Sequence, residues 1–298
     1  MNNFQEYTKY IRDDLFTRDD LDIKFENTNE FPIVGILIPN YNHAKYIEMA
    51  LKSVVQQDYP NKLIIIIDDC STDNSVEKIQ SMILNKKEIV DIDGNKIYVG
   101  NIFYRTNPEY SNLDGTLTPI ILISLQKNAK QANARNIGIS TTYNICGYYC
   151  QLDADDEYLP GKLSECMNIA LTDKENIGIV YSDVIIHNQL NGIKTHEFRE
   201  PYSWERLLQE CIISNTMLIN KKVFQAVGLY DKDISPVEDW DIQIRICEQF
   251  MAVHIPKPLS IYNVVDSSCT FTVNKERWNW CWNRIREKLK ERSKKIYK

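Results

Sequence analysis

Residues Leu63–Ile67 are five apolar residues in a row, four of them isoleucine, closed by Asp68 and Asp69. The run is too short for an ordinary helix and apolar on both faces, so it suits a strand covered from both sides. Such a strand needs helices on each face, and the neighbouring sequence supplies them. A similar run, Ile33 to Ile38, follows Phe31–Pro32 and is ended by Pro39 and Asn40. Between the two runs Ala44, Ile47, Leu51 and Val54 recur at helical spacing, which predicts an amphipathic helix over 43–57. After Asp69, the capping residues Ser71 to Asn74 start another helix. The alternation predicts a parallel sheet with helices on its faces. Ligands of such sheets bind at the carboxyl ends of the strands, where the polar clusters 39–42 and 68–73 fall.

Residues 86–119 interrupt this rhythm. Glu88–Asp91 and Lys96–Val99 flank the turn pair Asp93–Gly94, which predicts a hairpin, and Asn107 to Pro119 reads as a loop. A strand over Ile120–Leu125, a helix over 128–140 and a strand over Tyr148–Leu152 follow, the last running into Asp153-Ala154-Asp155-Asp156. Pro160 opens a helix to Leu171, Ile177–Tyr181 is a strand, and 183–199 reads as a hairpin around Asn191–Gly192. Glu238–Gln249 is a helix, short strands follow it, and a last helix starts near Asn274. Residues 1–30 are polar and read as an N-terminal helical arm.

Composition narrows the class. The chain of 298 residues is 43% apolar and 26% charged, as ordinary globular proteins are. No stretch reaches the roughly 18 apolar residues of a membrane span, and the first residues lack the apolar core of a secretory signal; a cytoplasmic protein is expected. Eight scattered cysteines read as reduced thiols, and four histidines without ligand spacing argue against zinc. The net charge of −6 argues against a nucleic-acid partner. Residues 284–298 nevertheless hold eight basic side chains and two glutamates, net +6, which leaves −12 for the rest.

Ten glycines form no G-x-G, so neither a dinucleotide fingerprint nor a Walker loop is present. A divalent metal held by carboxylates is the other common way to neutralise a diphosphate. Asp153, Asp155 and Asp156 crowd three acids into four residues after a buried strand, and a cation would relieve their repulsion. By spacing alone the run serves equally well as an acidic cap. The same two readings hold for Asp68–Asp69 and for Glu238-Asp239-Trp240-Asp241.

The order of the clusters adds what no single one carries. Val34–Asn42, Ser53–Pro60, Ile67–Asp73, Ala134–Gly138, Leu152–Asp156, Phe224–Asp231 and Glu238–Arg245 follow one another as in glycosyltransferase family 2, the inverting GT-A enzymes, which the chain resembles over about 31–265. The resemblance implies an α/β GT-A fold: a mostly parallel, Rossmann-like central sheet flanked by helices, with a small acceptor-side subregion and a C-terminal helix. It implies a nucleotide-binding half over 31–156, an acceptor half over 157–265 and a basic amphipathic helix over 266–298. It also implies roles. Asp69 would accept from the uracil of a UDP-sugar, with Pro39 and Tyr41 lining the base pocket. Arg135 would border the donor, and Asp153 would face the ribose and the metal. Asp155 would hold Mn2+ or Mg2+ against the diphosphate, and Asp156 would be a structural acid. Asp239 would be the general base, with Glu238 and Trp240 shaping the acceptor side.

Departures from the family pattern matter as well. Cys70 and Lys130 stand where the family usually has glycine, and Lys130 reads either as a diphosphate contact or as a solvated helix residue. The 86–119 stretch is longer than usual. The Gln-x-x-Arg-Trp motif of processive polymerases is missing, which implies transfer of one sugar. The implied activity is synthesis of a bacterial surface polysaccharide on a glycan or lipid-linked glycan acceptor. The rivals are a nucleotidyltransferase, which usually wants a Gly-rich basic loop near its first strand, and a non-catalytic sugar-nucleotide-binding module. Trp278, Trp282, Ile285 and Leu289 share one helical stripe beside the basic tail. They read either as a helix packed on the body or as a peripheral contact through 278–298 with the inner face of the cell membrane.

Overall fold

The computed structural model describes residues 25, 28, 30–91, 93–104, 117–266 and 268–296. Nearly all of the expected arm over 1–30 and most of the expected loop over 107–119 lie outside these residues. The two isoleucine-rich runs are adjacent parallel strands, β1 (Val34–Asn40) and β2 (Lys62–Asp68), joined through α1 (Ile47–Val55). The second helix, α2 (Ser75–Met82), leads to the expected edge hairpin of β3 (Ile83–Val90) and β4 (Lys96–Ile102), which turns at Gly94 with φ +80°. Then come β5 (Thr118–Ser124), α3 (Gln131–Thr142), β6 (Tyr148–Gln151), the short β7 (Glu157–Tyr158) and α4 (Lys162–Ala170). The second half holds β8 (Ile177–Asn188), β9 (Ile193–Glu197), α5 (Trp204–Leu207), β10 (Leu218–Asn220), α6 (Lys222–Val227) and α7 (Glu238–Cys247). It ends with β11 (Met251–Val264), α8 (Cys269–Thr272) and α9 (Lys275–Ile296).

The strands form one sheet in the order β3-β4-β5-β2-β1-β6-β10-β8-β11-β7, with β9 paired to β8. Its centre, β5-β2-β1-β6, is parallel as expected. β10 enters antiparallel between β6 and β8, which makes the sheet mixed. Alternation along the strands divides the core in two. Leu37, Ile65, Ile67, Ile121 and Ile123 face α3, α6, α7 and α9. Val34, Ile36, Ile38, Ile64, Ile66 and Leu122 face α1, α2 and α4. Both faces of β2 are therefore consumed, which is why its sequence is apolar without a break.

Three elements differ from the sequence reading. The first helix starts at Ile47 instead of 43, because 40–44 is drawn into hydrogen bonds with 68–73. The short strands expected after α7 are one 14-residue strand, β11, whose pairing with β8 shifts register around Pro258. The Trp stripe is divided. Trp278 and Leu289 pack on the core beside the fully buried Cys281 and Ile285, while Trp282 and Trp280 stay 40% and 48% exposed. The last helix is thus seated on the body. No described helix is long and apolar enough to cross a membrane.

Candidate active site

The polar segment 39–42 and the acidic clusters 68–69 and 153–156 lie at the carboxyl ends of β1, β2 and β6, along one edge of the parallel sheet. At the end of β2 the two adjacent acids have separate jobs. Asp68 accepts from Asn40 Nδ2 (2.7 Å) and from the Ser71 amide and hydroxyl (3.0 and 2.6 Å), so it knits the β2 loop to β1. Asn42 Oδ1 completes the knot by accepting from the amides of Thr72 (2.7 Å) and Asp73 (3.2 Å). Asp69 turns the other way. Its carboxylate accepts from the amides of Ala129 and Lys130, and its pKa is raised above the ordinary carboxylate range by burial, with the two amides working against the rise. Pro39 is half-buried and Tyr41 is 45% exposed at the same rim, an open face beside Asp69.

The sharp turns here need unusual backbone. Cys70 has φ +64° and Lys130 φ +66°, the left-handed region that glycine occupies without strain. At both positions a side chain other than glycine's stands on backbone that glycine would adopt without strain. Lys130 caps α3, with an exposed side chain. Within α3, Gly138 lets the helix approach the sheet: a Cβ there would lie 2.7 Å from Ile67 Cδ1 and 2.8 Å from Leu37 Cδ2. The close approach seats Arg135, one turn earlier, in the cleft.

Arg135 is the hub. Its guanidinium, 2% exposed, donates to Asp153 Oδ1 (2.8 Å) and to Glu238 Oε1 (2.7 Å). It thereby joins the end of β6 to the start of α7. Asp153 also accepts from Gln131 Nε2 (2.8 Å) and Asn215 Nδ2 (3.1 Å), so both its oxygens are engaged. Asp156 is fully buried and accepts from the Asn263 amide (2.8 Å), while Asn263 Nδ2 donates to the Asp155 carbonyl (2.8 Å). Asp155 remains, with its side chain 14% exposed. The side chain paired with it among the described residues is His43, with Nε2 3.9 Å away. Burial, with the charge of Asp153 adding to it, pushes the Asp155 carboxyl up to about 6.

This arrangement tests the expected metal. Three His, Cys, Asp or Glu side chains do not converge on one point among the described residues. Mg2+ and Mn2+ in nucleotide sites need few protein ligands, since phosphates and waters supply the others. A single poorly hydrated carboxylate with a raised pKa, beside an imidazole, fits such an ion. The sequence reading had no part for His43, Gln131, Asn215 or Asn263. His43 adjoins the Val34–Asn42 motif, but the others come from segments without a pattern of their own.

On the other side, Asp239 begins α7. Burial raises its pKa, Arg135 opposes the rise, and the Asp153 charge adds to it, so the acids after β6 and at the start of α7 share one electrostatic field. Glu238 is buried against Arg135, and burial raises its pKa too. Trp240 turns into the core, where its indole N–H donates to the Leu207 carbonyl (2.7 Å) and holds α5. Its ring is directed into the protein, and any bearing on the acceptor runs through α5.

The chain is similar to known glycosyltransferases. The glycosyl transferase family 2 model matches residues 35–98. The chain is 26% identical over 239 residues to hyaluronan synthase of Pasteurella multocida, covering 80% of this chain and 21% of that protein. It is 28% identical over 275 residues to an uncharacterized glycosyltransferase of Rickettsia typhi, covering 87% of this chain and 73% of the other. The chain thus spans about a fifth of the length of the Pasteurella relative. Among solved structures, S. aureus TarS 1–349 in complex with UDP-GlcNAc superposes with a TM-score of 0.58 at 14% identity, over 85% of this chain and 65% of that one. The Pyrobaculum calidifontis mannosyltransferase PcManGT, in complex with GDP-Man and Mn2+, superposes with a TM-score of 0.54 at 14% identity, over 89% and 65%. The fold is GT-A. The family model opens on the strand and loop that carry the first motifs, and the relatives extend the likeness over most of the chain, which is similar in sequence to family 2 glycosyltransferases.

Proposed function

We propose that the chain transfers one sugar, with inversion, from a nucleotide-sugar to a hydroxyl of a glycan or lipid-linked glycan of a bacterial surface polysaccharide. The observation that carries the reading is the division among the acids after β6. Asp153 and Asp156 are spent on hydrogen bonds, whereas the partly exposed Asp155 carboxylate has the more distant His43 imidazole beside it and a raised pKa. UDP is the favoured nucleotide, on the resemblance and on the UDP-GlcNAc held by the TarS neighbour; the GDP-Man of the mannosyltransferase neighbour is the competing choice.

In this reading Pro39, Tyr41 and Asp69 take the base, and Asp153, held by Arg135, borders the ribose. Asp155, with His43 beside it, would hold Mn2+ or Mg2+, which when bound offsets the negative charge developing on the leaving diphosphate. Asp239 takes the proton of the acceptor hydroxyl. An aspartate is a weak base in water, and the burial that raises its pKa brings it nearer its task. Glu238, fixed by Arg135, sets the start of the helix that presents Asp239.

Isothermal titration with UDP and GDP, with and without Mn2+, tests the donor side. UDP binding is expected to tighten by about tenfold or more with Mn2+, and Asp155→Ala to abolish that dependence. Asp239→Asn should keep UDP binding and lower turnover by about 10²–10⁴. Normal turnover by Asp239→Asn removes the base assignment, and failure to bind either nucleotide with Mn2+ removes the donor reading.

A further inference from the structure

The C-terminal helix, Lys275–Ile296, carries nine basic residues on a protein that is otherwise acidic, and the function proposed above gives it no part. Its length does not explain it, because an isolated polar helix of this kind gains its stability from packing. The inward stripe Trp278, Cys281, Ile285 and Leu289, at spacings of three and four, fixes which face meets the body. The polar contacts on that side follow one track. Arg277 donates from Nε to the Ser235 carbonyl (3.0 Å) and from an Nη to the Asp233 carbonyl (2.6 Å). Cys281 Sγ donates to the same Ser235 carbonyl (3.4 Å). Lys288 Nζ lies 2.9 Å from Asp231 Oδ2 and 2.6 Å from Asp241 Oδ1. Arg292 pairs with Glu248 (2.9 Å), just past the end of α7. The helix therefore spans the whole loop 231–237 and the length of α7.

That loop and the first turn of α7 present Asp239. Its neighbours on either side are both anchored by charge. Glu238 is held from the cleft by Arg135 (2.7 Å). Asp241, fully buried, is held at one oxygen by Arg245 (2.7 Å) and at the other by Lys288 (2.6 Å). A carboxylate buried at this depth is tolerated only with its cations in place. Loss of Lys288 moves the turn that carries Asp239, and small misplacement of a reacting group is costly. We propose that Arg277 and Lys288 of the C-terminal helix are positioning residues for the transfer reaction, bracing the loop 231–237 and the start of α7 so that Asp239 meets the acceptor. The proposal rests on the reading of Asp239 as the base.

The test uses the full chain and the variants Lys288→Met, Lys288→Arg and Arg277→Met. Three readouts are taken: UDP affinity with Mn2+ by titration, amide hydrogen exchange over 231–241, and turnover of the tightest-binding nucleotide-sugar with water as acceptor. Lys288→Met and Arg277→Met are expected to leave UDP affinity and the donor KM within about twofold of wild type while kcat falls by about tenfold or more. Exchange over 231–241 should speed up by a comparable factor, and Lys288→Arg should restore most of kcat. Unchanged exchange over 231–241, a kcat loss matched by weaker UDP binding, or a loss that Lys288→Arg does not rescue overturns the proposal. If Lys288→Met does not fold, Arg277→Met and Lys288→Arg carry the same comparison. Asp239→Asn run in parallel separates the two claims. Its normal turnover would remove the base reading, whereas the brace is judged by exchange at 231–241.

Discussion

At the scale of single residues, the site depends on backbone that its side chains resist. Lys130 combines φ +66° with ψ 158°, a region that is essentially glycine's own. The conformation is retained because its amide and that of Ala129 must reach the Asp69 carboxylate. Strain of this kind costs about 1–3 kcal/mol, and glycine gives back part of the relief through its freer unfolded chain. Lys130→Gly is therefore expected to stabilise the protein by about 1 kcal/mol in urea unfolding, and Lys130→Ala, which keeps the β-carbon, to gain nothing. Equal behaviour of the two variants would show that strain is absent. The acids of the site were legible as a series because they follow buried strands in a fixed order. Their division of labour was not. Nothing near Asp153 in sequence announces Asn215, and nothing near Asp156 announces Asn263, because those partners arrive by the packing of strands distant in the chain.

At the scale of elements, legibility followed burial. β1, β2 and β5 are apolar on both faces and were readable from composition alone. β7 and β10, of two and three residues, are too short to show a period, and they exist because β11, β6 and β8 offer edges. β11 looked like several pieces because Pro256 and Pro258 interrupt its run, and the pairing tolerates them by slipping register there. The long strands β8 and β11 are also joined by a polar device. Asp183, 1% exposed, accepts from His254 Nε2 (2.8 Å) on β11, from His196 Nε2 (3.0 Å) on β9 and from the Arg199 amide (2.8 Å). Burial works to raise its pKa, but the Arg199 amide and the two imidazoles outweigh it and hold the carboxyl below the ordinary range. A depressed carboxylate adds stability above its unfolded pKa and loses it as pH falls through the folded value. Acid titration of urea stability should therefore show wild type losing stability below about pH 4, with a smaller loss in Asp183→Asn, which starts from a lower plateau. Parallel curves for the two proteins would mean that Asp183 does not link β8, β9 and β11 in this way.

At the scale of the whole molecule, the boundary near 156 that the resemblance implies between two halves is not marked by a break in the sheet. The sheet crosses the boundary without a break, because β6 pairs with β1 on one side and β10 on the other. One core cluster includes residues of β1, β2, α3, α7 and α9 together. Arg135 closes the link with ion pairs to Asp153 and Glu238, one on each side of the boundary. Such a structure should unfold as one unit. The five tryptophans all lie between 204 and 282, so their fluorescence reports the second half, while far-ultraviolet circular dichroism reports the whole chain. The two signals are expected to follow one transition in urea. Arg135→Met leaves Glu238, 1% exposed, and Asp153 without their shared cation, a loss of about 3–5 kcal/mol for a broken buried pair. If the halves are truly one unit, that lesion shifts both signals together to lower urea. Separation of the curves, in wild type or in Arg135→Met, would show that the sheet does not couple the strand ends at Asp69 and Asp153 to the helix that carries Asp239.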